Sequence, residues 1–268
     1  MTLAAIALLL AVAAHPSAPS PAVEDTLLDV GGYRMHLIVH RGTRPLTIVM
    51  ESGGGAGIGA WEGVDEELAR RTGATVVAYD RAGFGESGLG PATLTPREQV
   101  RQLDRALDRL RTPEARIVVG HSYGGLMAVL QAHLDPGRVR GLVLVDPMNP
   151  RFVAATGDFV YSTVPHIEHP ASPKDSAVAR LVTTFDGLVH DPDAGDAGLT
   201  LPIVVITAGE AWWKKPAIDS AWRAAHTAVA GAAPHRRLVV AEGSDHDVPA
   251  RRPDTIVEAV AALAGTRP

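Results

Sequence analysis

The chain has no cysteine among its 268 residues. This excludes a disulfide framework, a thiolate zinc site, a cysteine nucleophile and a lipid anchor on cysteine. The compartment stays open, because a chain of this length buries enough surface to be stable without cross-links. Lysine is scarce, with only Lys174, Lys214 and Lys215, and the net charge is −5. Without a basic run, neither nucleic acid nor an anionic membrane is expected as a partner. No apolar run reaches the roughly 20 residues of a spanning helix, so no stable membrane insertion is expected. Residues 3–14 are a shorter apolar run of twelve, followed by His15-Pro16-Ser17-Ala18-Pro19-Ser20-Pro21, which cannot continue a helix. Val12 and Ala14 suit the −3 and −1 positions of a signal-peptidase site. Residues 1–24 therefore read as a signal peptide and spacer, and the protein as secreted or periplasmic. The only positive charge ahead of the run is the α-amino group; were the segment not a signal, the protein would be cytoplasmic.

Apolar residues, by contrast, are plentiful, at 46%. From residue 25 onward short β-branched runs alternate with amphipathic stretches. Strands are expected at 26–30, 33–40, 46–50, 74–79, 116–120, 141–145, 202–207 and 237–241. The inner runs are continuously apolar, as in parallel strands buried on both faces. Between them Val100, Leu103, Leu107 and Leu110 share one helical face, and Thr95-Pro96-Arg97-Glu98 supplies a helix start. The alternation predicts an α/β fold, a doubly wound, mostly parallel sheet of eight strands. The first two runs, split by Gly31-Gly32, predict an antiparallel hairpin. One stretch breaks the rhythm. Residues 147–200 lack strand periodicity yet hold Phe152, Phe159, Tyr161 and Phe185 in a chain only 4% aromatic. An insertion of that length has helices of its own and a task, and it reads as a small cap after the sixth strand.

The motif with the most chemical content is Gly120-His121-Ser122-Tyr123-Gly124, between a strand and a helix. A tight strand-to-helix turn strains the serine and lifts its hydroxyl clear of the sheet, while small flanking residues let the turn close. The Tyr123 N–H and the helix N-terminus then face developing negative charge. A serine hydroxyl needs a base. Of eleven histidines, His246 in Gly243-Ser244-Asp245-His246 lies where chain order places it, after the last strand. His121 is expected to point elsewhere on the turn. His166 and His169 lack a third ligand, so no metal is assigned.

Together, Ser122 in its turn, Ser52-Gly53-Gly54-Gly55 after a strand, Tyr79-Asp80-Arg81-Ala82-Gly83-Phe84-Gly85-Glu86-Ser87 and the late Gly-x-x-His resemble the α/β-hydrolase superfamily over residues 25–264, with the cap at about 147–200. In most of that family the triad acid follows the seventh strand in a segment like Gly-x-x-Asp. Here the segment reads Ala208-Gly209-Glu210-Ala211-Trp212-Trp213, with Trp212 at the aspartate position. A second pattern, as in haloalkane dehalogenases, puts the acid after the sixth strand, where this chain has Asp146. Both strand ends reach one edge of a parallel sheet. Asp146 is the expected acid and Glu210 the alternative. The resemblance also implies an oxyanion hole from the Tyr123 N–H with that of Gly54, or Gly53 next. The glycine run lacks the ending of a P-loop and the spacing of a dinucleotide fingerprint. Residues 80–85 are expected to pin a turn near the site.

The resemblance implies a serine hydrolase for a carboxylic ester or lactone. It would work through an acyl-enzyme on Ser122, with His246 as base, Asp146 as orienting acid and no cofactor. A serine nucleophile excludes dehalogenase and epoxide-hydrolase chemistry, which in this superfamily starts from aspartate. Phe152, Phe159, Trp212 and Trp213 are candidate pocket residues, or the cap's own core. The partner is a small ester-type molecule, and nothing sets an oligomeric state. A lyase or cofactor-free haloperoxidase-like enzyme would keep the same triad; an inactive binding protein would leave these filled roles unused.

Overall fold

The computed structural model describes residues 22–157, 159–163 and 171–265. Residues 1–21, most of the expected signal peptide and spacer, lie outside them, as do His166 and His169. The chain runs β1 (Val23–Asp29), β2 (Arg34–His40), β3 (Thr47–Glu51), a 3-10 turn at Ile58–Trp61, α1 (Val64–Thr72), β4 (Thr75–Tyr79) and α2 (Pro96–Arg109). It continues through β5 (Arg116–His121), α3 (Tyr123–Leu134), β6 (Val139–Val145), α4 (Pro150–Thr156), α5 (Phe159–Thr163) and α6 (Pro173–Val189). After β7 (Ile203–Ala208) come α7 (Pro216–Ala230), β8 (Arg236–Ala241), α8 (Val248–Arg251) and α9 (Pro253–Leu263). Each expected strand is present, its ends within three residues of those read from the sequence.

The strands form one sheet in the order β1-β2-β4-β3-β5-β6-β7-β8. Only β2 opposes its neighbours, pairing antiparallel with β1 and β4; every other pair is parallel. Side chains alternate across a strand, so the apolar runs feed two cores. Val49, Val77, Val118 and Leu144 face one way, with α2, α3 and α7. Ile48, Val76, Val119 and Val143 face the other, with α1 and α9. This is why the inner strands are apolar at every position. α2 starts where the sequence marks it: Thr95 Oγ1 accepts from the Glu98 N–H, and the Glu98 carboxylate accepts from the Thr95 N–H. The insertion after β6 carries α4, α5 and α6, whose Phe152, Phe185 and Leu188 form a third core with Tyr123, Leu126 and Trp222.

Strand order reverses around β3, which lies between β4 and β5. Ligands of open α/β sheets collect at such a reversal, beyond the carboxyl ends of the strands. Ser52 follows β3, Asp80 β4, Ser122 β5, Asp146 β6 and Trp212 β7, with His246 in the loop after β8.

Candidate active site

Ser122 sits between β5 and α3 at φ 53°, ψ −119°, a left-handed conformation for a non-glycine residue. Such a residue costs of order 1–3 kcal/mol and persists only where its surroundings over-determine it. Here they do. The Ser122 N–H donates to Val145 O at 3.1 Å, and its carbonyl accepts from Gly125 and Met148 at 2.8 and 2.9 Å. The flanking glycines are required by contact: a Cβ on Gly120 would lie 2.3 Å from Gly124 O, and one on Gly124 2.1 Å from Glu51 O.

The hydroxyl meets a polar chain. Ser122 Oγ lies 3.0 Å from His246 Nε2, and His246 Nδ1 lies 2.7 Å from Asp146 Oδ2. With a carboxylate on Nδ1, the proton belongs there, and Nε2 is left to accept from the serine. Asp146, fully buried at φ 39°, also accepts from the Ala208 N–H through Oδ1 at 2.9 Å. Burial alone would raise its carboxyl, but the His246 bond, the neighbouring imidazoles and the Ala208 N–H together hold it below the ordinary carboxylate range. Glu210 is exposed, and its backbone N–H donates to Ser244 O at 2.8 Å. The structure thus brings Ser122, His246 and Asp146 together. The arrangement can pass a proton from hydroxyl to imidazole while a carboxylate balances the charge.

The loop at 52–55 lies against this chain. Arg81, buried at the end of β4, donates through Nη1 to Ser52 O at 2.7 Å and through Nη2 to Gly53 O. A trans peptide points its N–H opposite its carbonyl. Two carbonyls turned onto Arg81 therefore turn the N–H groups of Gly53 and Gly54 the other way, and both glycines line the pocket with Ser122 and Tyr123. The Tyr123 N–H, at the start of α3, has no intrahelical acceptor. Arg81 stacks 5.2 Å from the Tyr123 ring and pairs with buried Glu51 at 3.6 Å. Burial raises the Glu51 carboxyl, against the pull of Arg81, Tyr79 and Gln131. Trp61 Nε1 donates to Ser52 Oγ at 3.0 Å, a second tie on the same end of the loop. Residues 80–85 pin a turn, as expected. Asp80 accepts from the backbone N–H of Ile58 and Glu86 at 2.8 and 3.0 Å.

A cavity of about 480 Å³ opens over Ser122. Its walls include Met148, Val160, Leu181, Phe185, Trp212 and Trp213. Two expectations about it are corrected. Phe152 is fully buried, edge-on to Trp222 at 4.8 Å, because α4 turns it into the cap's core. Phe159 packs behind Trp213 at 5.5 Å, with the Lys215 ammonium over its ring, and is not in the wall. The cap's share of the walls comes mainly from α5 and α6, where no sequence signal separates a pocket-facing valine from a core one.

Two histidines without an assigned role also belong here. His121 Nε2 donates to the His246 carbonyl at 2.8 Å, holding the base's own backbone. Burial pushes its imidazole down to about 4. His226, on α7, donates through Nε2 to Pro147 O and accepts at Nδ1 from the Thr207 hydroxyl, both at 2.9 Å. Burial lowers it too. Only His121 had a local signal, as neighbour of the serine. His226 joins the site through the fold alone.

Known proteins share this framework. A family model described as the alpha/beta hydrolase fold matches residues 47–165, which carry the loop at 52–55, Ser122 and Asp146 but not His246. The chain is 25% identical to the uncharacterized protein YqjL of Bacillus subtilis over 221 residues, 82% of this chain and 83% of that protein. It is 35% identical over 105 residues to the (lyso)-N-acylphosphatidylethanolamine lipase of Homo sapiens, but this covers only 37% of the chain and 30% of the lipase. A thermophilic esterase from Thermogutta terrifontis superposes with a TM-score of 0.65 at 21% identity, over 90% of this chain and 97% of that one. At that identity the likeness is one of fold.

Proposed function

We propose that the chain, whose residues 47–165 match the alpha/beta hydrolase fold, is a serine hydrolase cleaving a carboxylic ester or lactone with an uncharged, apolar acyl group. The observation that carries this reading is the hydrogen-bonded chain Ser122–His246–Asp146 at the carboxyl edge of the sheet. In the proposed reaction His246 Nε2 takes the hydroxyl proton as Ser122 Oγ attacks the acyl carbonyl. The tetrahedral oxyanion receives the N–H of Tyr123 and of Gly54 or Gly53. The C–O bond to the alcohol breaks as His246 returns the proton to the leaving oxygen. Water activated by the same imidazole then attacks the acyl-enzyme, releasing the acid and restoring the hydroxyl. Preorganised backbone donors supply stabilisation where charge develops.

The wall of the cavity supports the choice of acyl group. It holds no arginine or lysine among the described residues, so a carboxylate on the acyl chain would lose its water without gaining a counter-charge. The test is labelling with a fluorophosphonate, followed by a series of p-nitrophenyl esters of increasing acyl length. Label is expected on Ser122 and lost in Ser122→Ala, with neutral esters turned over faster than a dicarboxylic half-ester of equal length. An unlabelled wild-type protein would remove the serine-hydrolase reading, and a preference for the anionic ester would remove the acyl assignment.

A further inference from the structure

Trp212 occupies the place after β7 where the commoner family pattern has an acid, and it lies on the base. Its ring stacks on the His246 imidazole with centroids 3.9 Å apart and planes within 9°. Trp222 meets the same imidazole nearly edge-to-face at 5.8 Å and 71°, and His121 lies 4.8 Å away. The His246 side chain is only 16% exposed, whereas Trp212 is 39% exposed and carries little of the core.

We propose that Trp212 is a positioning residue for the reaction, whose indole face stabilises the His246 imidazolium that forms as Ser122 gives up its proton. An aromatic face attracts a cation through its quadrupole, and more strongly where water is excluded. An uncharged imidazole gains less from the same stack. The interaction therefore strengthens on the way to the transition state, which is the condition for accelerating a chemical step. The other groups around His246 leave it as the one site of new positive charge. Asp146, behind it after β6, is the counter-ion. His121 after β5 and His226 on α7 are both held toward the neutral form by burial. Asp245 and Asp247 flank it in its own loop. The inference rests on the serine-hydrolase reading for its catalytic consequence, but not for the stabilisation of the imidazolium itself.

The experiment compares wild type, Trp212→Phe and Trp212→Leu. Phenylalanine keeps a smaller π face; leucine keeps an apolar cover without one. Trp212→Leu is expected to lower kcat roughly 3- to 30-fold, with KM changed less. The acid limb of its kcat/KM profile should move to lower pH by roughly 0.4 to 1.5 pH units. Trp212→Phe should fall between the two proteins in both readouts. A residue that merely walls the pocket or wedges the ring would change kcat or KM without moving the limb. A limb unmoved or moved upward in Trp212→Leu, or identical Phe and Leu variants, would overturn the proposal. The titration of the His246 ring, followed by NMR in the same three proteins, separates this from the function itself. A titration that moves down from Trp to Leu supports the stack even in a protein that takes no fluorophosphonate, and one that stays in place overturns it even in an active esterase.

Discussion

Asp146 is held through both carboxylate oxygens, by the Ala208 N–H on one and the His246 Nδ1–H on the other. An asparagine there could present its amide N–H₂ to His246 and reverse the imidazole tautomer, leaving Nε2 unable to accept from the serine. Asp146→Asn is expected to lower kcat by about 10³- to 10⁴-fold, with the thermal midpoint little changed. Glu210→Gln, at an exposed side chain, should leave kcat near wild type. Steady-state kinetics on a p-nitrophenyl ester compares them, and a large loss in the glutamine variant alone would transfer the role to Glu210. The sequence contained both acids, Asp146 at one family position and Glu210 beside another that Trp212 fills. What separates them is that β6 lies between β5 and β7, so the side chain at its end is buried against the base, while that of Glu210 beyond β7 is exposed.

At the scale of elements, the loop after β3 and the turn after β4 work as one unit. Arg81 bridges two successive carbonyls of the first from its place in the second. The guanidinium does this because its donors form a rigid fork; an ammonium on a flexible stem cannot hold both peptide planes at once. Arg81→Lys keeps the charge near Glu51 and so should fold. Its kcat is expected to fall by about 10- to 10³-fold with KM nearly constant, because donors are lost to the oxyanion and not to the substrate's apolar part. A lysine variant with wild-type kcat would mean that the Trp61–Ser52 bond alone orients the loop. The sequence marked both segments as turns near the site. It did not show that one fixes the other, because that depends on β3 and β4 lying side by side.

At the scale of the whole molecule, the site draws on every strand end from β3 to β8, so its buried histidines link it to global stability. His121 falls from an ordinary value of 6.5 to about 4 on folding, and His226 falls as well, in both cases mainly through burial. Below pH 6.5 the unfolded chain binds protons at these rings that the native state refuses. Stability therefore rises with pH across the window from about 4 to 6.5 and is lost as pH drops through it. The lowered Asp146 carboxyl extends the loss further into acid. His36, where burial is outweighed by bonds to Asp80 and Asp25, and Glu51, raised by burial, act with the opposite sign, so the slope of the thermal midpoint from pH 7 down to pH 4 is read as a difference between wild type and variant. His121→Gln, which retains a donor for the His246 carbonyl, should flatten part of that slope; an unchanged slope would show that His121 titrates alike in both states. The sequence by itself determined the strand-and-helix alternation, the serine turn and the chain-order place of the base. These are local matters of apolar periodicity, glycine spacing and position relative to a strand end. Only the tertiary structure decided which acid meets His246, that Arg81 orients the glycine loop, that Phe152 serves the cap's core and not the pocket, and that Trp212 lies flat on the base. Each of these joins residues distant in sequence, and their contact exists only once the sheet has set the order and direction of its strands.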